Sequence, residues 1–309
     1  MSEALLAHAT RSIELGSKSF ATAARLFDPS TRRSAVLLYA WCRHCDDVVD
    51  GQQHGFGQGG GDRGDGARRL QALVDATRRA YAGEAMADPA FAALQAVAAA
   101  HTIPERFPLA HLDGFAMDVR GARYRTLDDT LAYCYRVAGV VGLMMAMVMG
   151  ARDEATLDRA CDLGLAFQLT NIARDLVEDA AIGRCYLPGE WLDELGVSRE
   201  AVADPRHREA LAVFAARLVD AAEPYYASAR GGLAALPLRS AWAIATARGV
   251  YRQIGVKVKA RGARAWDARV ATTRADKLRL LAVAAGTALA SRAGSRDARP
   301  ATLWQRPRG

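Results

Sequence analysis

No uninterrupted apolar run in this chain reaches the roughly 18 to 20 residues that a bilayer span requires. The longest, Val137 to Gly150 (VAGVVGLMMAMVMG), falls short and is expected to be a buried helix. Cysteine is scarce and odd in number: Cys42, Cys45, Cys134, Cys161 and Cys185 argue against a disulfide framework and for reduced thiols. The N-terminus, MSEALLAHATRSIEL, carries no basic-then-apolar leader, so the expected location is cytoplasmic. Strand-like alternation is hard to find, and no repeat of fixed period occurs. What is present is an ordinary globular composition. In 309 residues, 51% hydrophobic and 24% charged, a sizeable core can form and disorder as the whole answer is excluded. The 41 Lys and Arg against 34 Asp and Glu leave a charge of +7, which suits nucleic acid, an anionic membrane or a phosphorylated substrate equally and selects none of them.

Apolar residues recur at helical spacing, as in Leu157, Cys161, Leu165 and Leu169 or Leu211, Phe214, Leu218 and Ala222, so the fold class is all-α. Asp28-Pro29, Asp88-Pro89, Ile103-Pro104, Leu187-Pro188, Asp204-Pro205 and Leu236-Pro237 punctuate the helices. The glycine-rich stretch 51–66 (GQQHGFGQGGGDRGDG) is expected to be a flexible surface loop. Its Gly59, Gly61 and Gly64 fall in G-x-G-x-x-G register, but no strand or βαβ pattern surrounds them, so a dinucleotide site is rejected. The tail 292–309 is expected to fray, with Trp304 able to touch a membrane surface. Cys42-x-x-Cys45 lacks a second half-site and is taken as helix packing.

Two clusters carry chemistry. Tyr39, Arg43, Asp46 and Asp50 share one helical face with Asp47 beside them; Gln168, Asn171, Asp175 and Asp179 share another, with Arg174 and Glu178 adjacent. A solvated charged face is the plain explanation for either. Against it, like charges at i,i+4 repel, and both clusters immediately precede expected helix stops, Gly51 and Gly183, where the helix dipole disfavours anions. Carboxylates held together against local preference suggest a cation between them. Hard oxygen ligands without a Cys/His set point to Mg²⁺, with Mn²⁺ as its substitute, its remaining positions filled by water and substrate phosphates. Two such faces opposed across a bundle would hold a diphosphate, with Arg43 and Arg174 neutralising further phosphate charge.

Gly164-x3-Gln168-x2-Asn171-Ile172-x-Arg174-Asp175-Leu176-x2-Asp179-x4-Arg184-x-Tyr186-x-Pro188 resembles, without a gap, a signature of the squalene and phytoene synthases. Tyr133-Cys134-x2-Val137-Ala138-Gly139-Val140-Val141-Gly142 resembles their other signature, and Ser17-Lys18-Ser19-Phe20 and the Asp46 to Asp50 motif extend the likeness over nearly the whole chain. The run of sequence is most similar to the bacterial phytoene-forming branch.

The resemblance implies one domain over 1–309, an isoprenoid-synthase helical bundle with a central apolar cavity. It implies head-to-head condensation of two geranylgeranyl diphosphates via prephytoene diphosphate to phytoene, with no NADPH. By position, Asp46, Asp50, Asp175 and Asp179 match the metal-binding aspartates and Asn171 a metal or water ligand. Lys18, Ser19, Arg43 and Arg174 match diphosphate contacts, while Phe20, Tyr39, Tyr133, Gln168, Tyr186 and Tyr251 surround the reacting carbons. Val137, Val141 and Leu165 are expected to line the prenyl tunnel, with Gly139 and Gly142 allowing close helix approach. Tyr39, Arg43, Tyr186 and the four aspartates form the expected catalytic set. Apolar substrates and product imply peripheral membrane contact, and later carotenoid enzymes are further candidate partners; nucleic acid is not expected. The alternatives are a squalene or dehydrosqualene synthase using farnesyl diphosphate, and a noncatalytic relative that binds.

Overall fold

In a computed structural model, which describes residues 9–10, 23–51, 63–293 and 298–308 with the side chains of residues 50, 63 and 64 outside that description, each Asp-Pro pair opens a helical segment. Proline fits the first turn, where its missing N–H would have no partner, and the preceding aspartate caps the exposed amides. Asp28 accepts from the Ser30 and Thr31 amides at the start of α1 (Pro29–Asp50), and Asp88 from that of Ala90 at the start of α3 (Pro89–His101). Asp204 does the same for a short 3₁₀ turn, Pro205–His207. α2 (Arg63–Tyr81) lies between the first two and begins inside the stretch expected to be a loop, of which residues 52–62 lie outside the described residues.

The chain continues through α4 (Arg106–Val119) and α5 (Leu127–Cys134), which passes through a π-helical turn, Tyr135–Gly139, into α6 (Val140–Val148). The apolar run expected to be a buried helix is part of a longer one. The continuous helix Leu127–Val148 has 22 residues and is long and apolar enough to cross a membrane by length and composition, though 67% of an apolar 18-residue stretch within it is buried inside the protein. The remaining helices are α7 (Glu154–Ala181), α8 (Gly189–Glu194), α9 (Arg208–Arg230), α10 (Leu238–Arg261) and α11 (Arg274–Ala290). No strand occurs among the described residues, so the all-α class holds.

α7 is the axis of the bundle, packed against α6, α9, α10 and the π turn. The approach to the π turn and α6 depends on glycine. A Cβ on Gly164 would strike the Ala138 carbonyl, and one on Gly142 the Ala160 carbonyl, closer than real Cβ contacts allow. The buried side chains form one contiguous core.

The tail does not fray over residues 298–308; it docks on the N-terminal half of α7. Arg299 is held by both oxygens of the buried Asp162 at 2.8 Å, Arg306 by Asp158 at 2.7 Å and by Glu154, and the Trp304 ring lies against Tyr135. Leu303 is buried beside them. Arginine-rich composition suggested solvation, but a complementary row of acids on α7 captures it.

Candidate active site

One face of α7 lines a cavity of about 720 Å³. Thr156, Arg159, Ala160, Leu163, Gly164, Phe167, Gln168, Asn171, Asp175 and Asp179 recur every three or four residues, so the stripe rises roughly 35 Å at 1.5 Å per residue. The stripe is apolar up to Phe167, apart from Thr156 and Arg159 at its N-terminal limit. From Gln168 onward it carries amides and acids. α1 adds Tyr39, Arg43 and Asp46 at the polar end, while Met145, Met149, Leu233, Leu236 and Leu281 line the apolar remainder. Val137 and Val141 also reach the cavity, as expected. Leu165 does not: it lies off the stripe and is fully buried in the core, which corrects its place among the tunnel residues.

Both acidic helix ends break the usual preference for a basic last turn. α1 stops at Gly51, whose φ of 65° is the left-handed region that glycine favours and whose N–H caps the Asp47 and Val48 carbonyls. α7 stops two residues before Gly183, φ 79°. The charge is balanced laterally instead. Arg43 pairs with Asp46 at 2.9 Å and Asp47 at 2.6 Å. Arg174 grips Asp175 with two bonds of 2.7 and 2.5 Å, and Arg269 reaches Asp175 at 3.1 Å and Glu178 at 3.2 Å. Asp179 is different. Burial first, and then repulsion from Asp175, push its carboxyl up to about 7, with Arg184 opposing the rise.

The Asn171 Oδ1 is buried with no hydrogen-bond partner while its Nδ2 donates to Gln168 at 3.4 Å. No three His, Cys, Asp or Glu side chains converge among the described residues. Two carboxylates and an uncommitted amide oxygen on one helix, lining the same cavity as Asp46 of another, fit a hard divalent cation that takes its remaining oxygens from phosphate and water. They do not form a closed protein cage.

The structure also brings in residues that sequence reasoning missed. Asp118 accepts from Tyr133 at 3.1 Å and from Tyr186 at 3.0 Å, and the two rings stack with centroids 4.5 Å apart. Burial and the Asp118 charge hold both phenols well above their usual range, so they stay neutral. Phe167 stacks on Tyr251 at 4.2 Å. Arg184, His111 and Lys277 line the cavity too. An acid late in the apolar helix LAHLDGFAMDV was the available signal for Asp118; nothing local marks Arg269. Lys18, Ser19 and Phe20 lie outside the described residues, and so does the Asp50 side chain.

A family model described as squalene/phytoene synthase matches residues 13–276. The chain is 61% identical to the 15-cis-phytoene synthase of Pantoea ananas and 59% identical to the phytoene synthase of Pseudescherichia vulneris, in each case over 98% of both chains. Among solved structures it superposes on a dehydrosqualene synthase with a TM-score of 0.82 at 26% identity, covering 93% of this chain and 98% of that one. The squalene synthase of Alicyclobacillus acidocaldarius gives 0.72 at 26% identity, covering 85% and 97%.

Proposed function

Because the chain belongs to the squalene/phytoene synthase family, we propose that it joins two geranylgeranyl diphosphates head to head, through prephytoene diphosphate, to phytoene with release of diphosphate, a step of carotenoid biosynthesis. The observation that carries this reading is the cavity with acidic and basic side chains at one end and an apolar remainder along α7. It matches the two halves of a prenyl diphosphate. One contiguous core supports treating 1–309 as one catalytic unit.

Mg²⁺, when bound, would offset the diphosphate charge and promote its departure. Asp46, Asp50, Asp175 and Asp179 with the Asn171 amide oxygen would hold it. Arg43 and Arg174, with Lys18 and Ser19, would take phosphate oxygens, and Arg184 and Arg269 join them as cations beside the acids. The arginines are paired to neighbouring aspartates, so diphosphate entry exchanges one anionic partner for another with little reorganisation.

Past the ionised end, Tyr39, Tyr133, Tyr186, Tyr251, Phe20 and Gln168 would surround the allylic cation with ring faces and an amide dipole while excluding water. The Asp118 bonds and the Phe167 stack fix the orientation of three of those rings. Phenols kept neutral by burial are poor bases, which leaves a carboxylate or the released diphosphate to take the proton. Val137 and Val141 belong to the tail wall.

Peripheral membrane contact is the other part of the proposal. α11 turns Leu278, Val283 and Leu289 to the outside at 69%, 57% and 60% exposure, and Lys277, Leu278 and Leu281 of the same helix line the cavity. An apolar outer face beside an apolar opening suits delivery of a C40 product to lipid. This favours α11 over the docked tail as the contact.

The test is incubation of purified protein with geranylgeranyl diphosphate and Mg²⁺, without NADPH, followed by lipid extraction. A C40 triene chromophore abolished by EDTA is the expected result. Turnover of farnesyl diphosphate alone would move the assignment to the squalene branch, and inertness to both would overturn it.

A further inference from the structure

The apolar cavity ends at a charge. At the N-terminal limit of the α7 stripe stands Arg159, 8% exposed, with Thr156 one turn before it. A buried guanidinium at the far end of an apolar cavity is costly unless its donors are used. Here Nη1 donates to the Ser228 carbonyl at 2.8 Å, in the last turn of α9, where exposed carbonyls and the helix dipole favour a cation.

The seat for this side chain is built from two glycines. A Cβ on Gly231 would collide with the guanidinium itself, and a Cβ on Gly232 would come within 3.2 Å of the Arg159 Cβ. Behind the guanidinium lies a second cavity, about 260 Å³, bounded by Thr156, Arg159, Gly231, Ala298 and Arg299. Thr156 and Arg159 line both spaces, so these two side chains stand between the prenyl tunnel and a void under the docked tail.

Given the prenyl-synthase reading, on which it rests, we propose that Arg159, with Thr156 beside it, is the partition that sets how long a prenyl chain the protein accepts. The diphosphate is anchored near Asp175 and Asp179, so chain length is measured from there along α7 to the partition. A tail that reached it would run into the length of this side chain, which the Ser228 carbonyl and the Gly231 and Gly232 backbones hold in place, whereas a methyl terminus stopping short meets only apolar wall. The specificity comes from opposition at the far end, and contacts along the tunnel add little discrimination because each further methylene gains only apolar contact.

The test compares kcat/KM for geranylfarnesyl diphosphate, one isoprene longer, with that for geranylgeranyl diphosphate. Arg159→Ala removes the partition. Arg159→Gln shortens it while keeping an N–H donor for the Ser228 carbonyl, and so carries the test if the alanine variant fails to fold. Arg159→Met keeps the length without the charge. The ratio of long to standard substrate is expected to rise about tenfold in the alanine and glutamine variants and to stay within about twofold of wild type in the methionine variant. A merely structural role would lower thermal stability and both activities together, leaving the ratio unmoved.

An unchanged ratio in a folded glutamine variant overturns the proposal, as does a methionine variant that shifts as far as alanine. Failure of the function itself is read separately, from wild-type protein inert toward every prenyl diphosphate. In that case the same variants are judged by the ratio of Kd values for the two diphosphates, with the same outcomes deciding.

Discussion

Acidic side chains in the final turns of α1 and α7 run against the helix dipole, and arginine contacts at 2.5 to 2.9 Å offset that cost without removing it. Their spacing was legible in the sequence because i, i+4 periodicity is local; Asp118 and Arg269 were not, since each meets its partners only through the fold. Asp46→Asn and Asp175→Asn keep shape but lose charge, and each is expected to lower turnover at least about a hundredfold while circular dichroism and the melting midpoint stay close to wild type. His111 gives a pH prediction. Burial holds its ring down to about 4, with Nδ1 donating to the Arg136 carbonyl at 3.2 Å and Nε2 unpartnered. The unfolded chain takes up a proton near 6.5 and the folded one does not until about 4. Stability is therefore whole above pH 6.5 and falls as pH drops from there toward 4, by on the order of 3 kcal/mol. Urea titrations of wild type and His111→Gln across that range should diverge by this much, the variant showing the flatter profile.

At the scale of the element, two helices show what local pattern conveys and what it omits. α1 was readable from cap to stop, because Asp28-Pro29 and Gly51 act on their own neighbours. The π turn at Tyr135–Gly139 was not, since a widened turn leaves no mark in the spacing of YRVAG; it lies where α7 passes close enough for the Gly164 backbone to face Ala138 and Gly139. Gly164→Ala should cost about 1 to 3 kcal/mol in equilibrium unfolding, since backbone has to move to admit the methyl group. α11 carries the opposite lesson, a helix apolar on its solvent side. The double variant Val283→Glu, Leu289→Glu is expected to lose most of its flotation with anionic liposomes while detergent-assayed activity is retained. Undiminished flotation would move the lipid contact elsewhere.

The whole molecule is tied together by a contact no local rule suggests. Arg299, 137 residues along the chain from Asp162, supplies the countercharge that a fully buried carboxylate needs, and Ser228 donates to the same acid at 2.5 Å. Arg299→Ala leaves that charge without its cation and should cost about 3 to 5 kcal/mol, read from the urea midpoint. The tail looked polar enough to fray, yet it closes the back of the bundle. The sequence by itself determined the helical class, the ends of α1 and α7, the acidic faces and the family signatures, because each depends on residues within a few turns of one another. Tertiary structure alone decided that Leu165 belongs to the core, that Asp118 joins two tyrosines, that the tail docks and that Arg159 lines the cavity. Those outcomes depend on which helix passes which at what distance, a matter of packing between residues far apart in the chain.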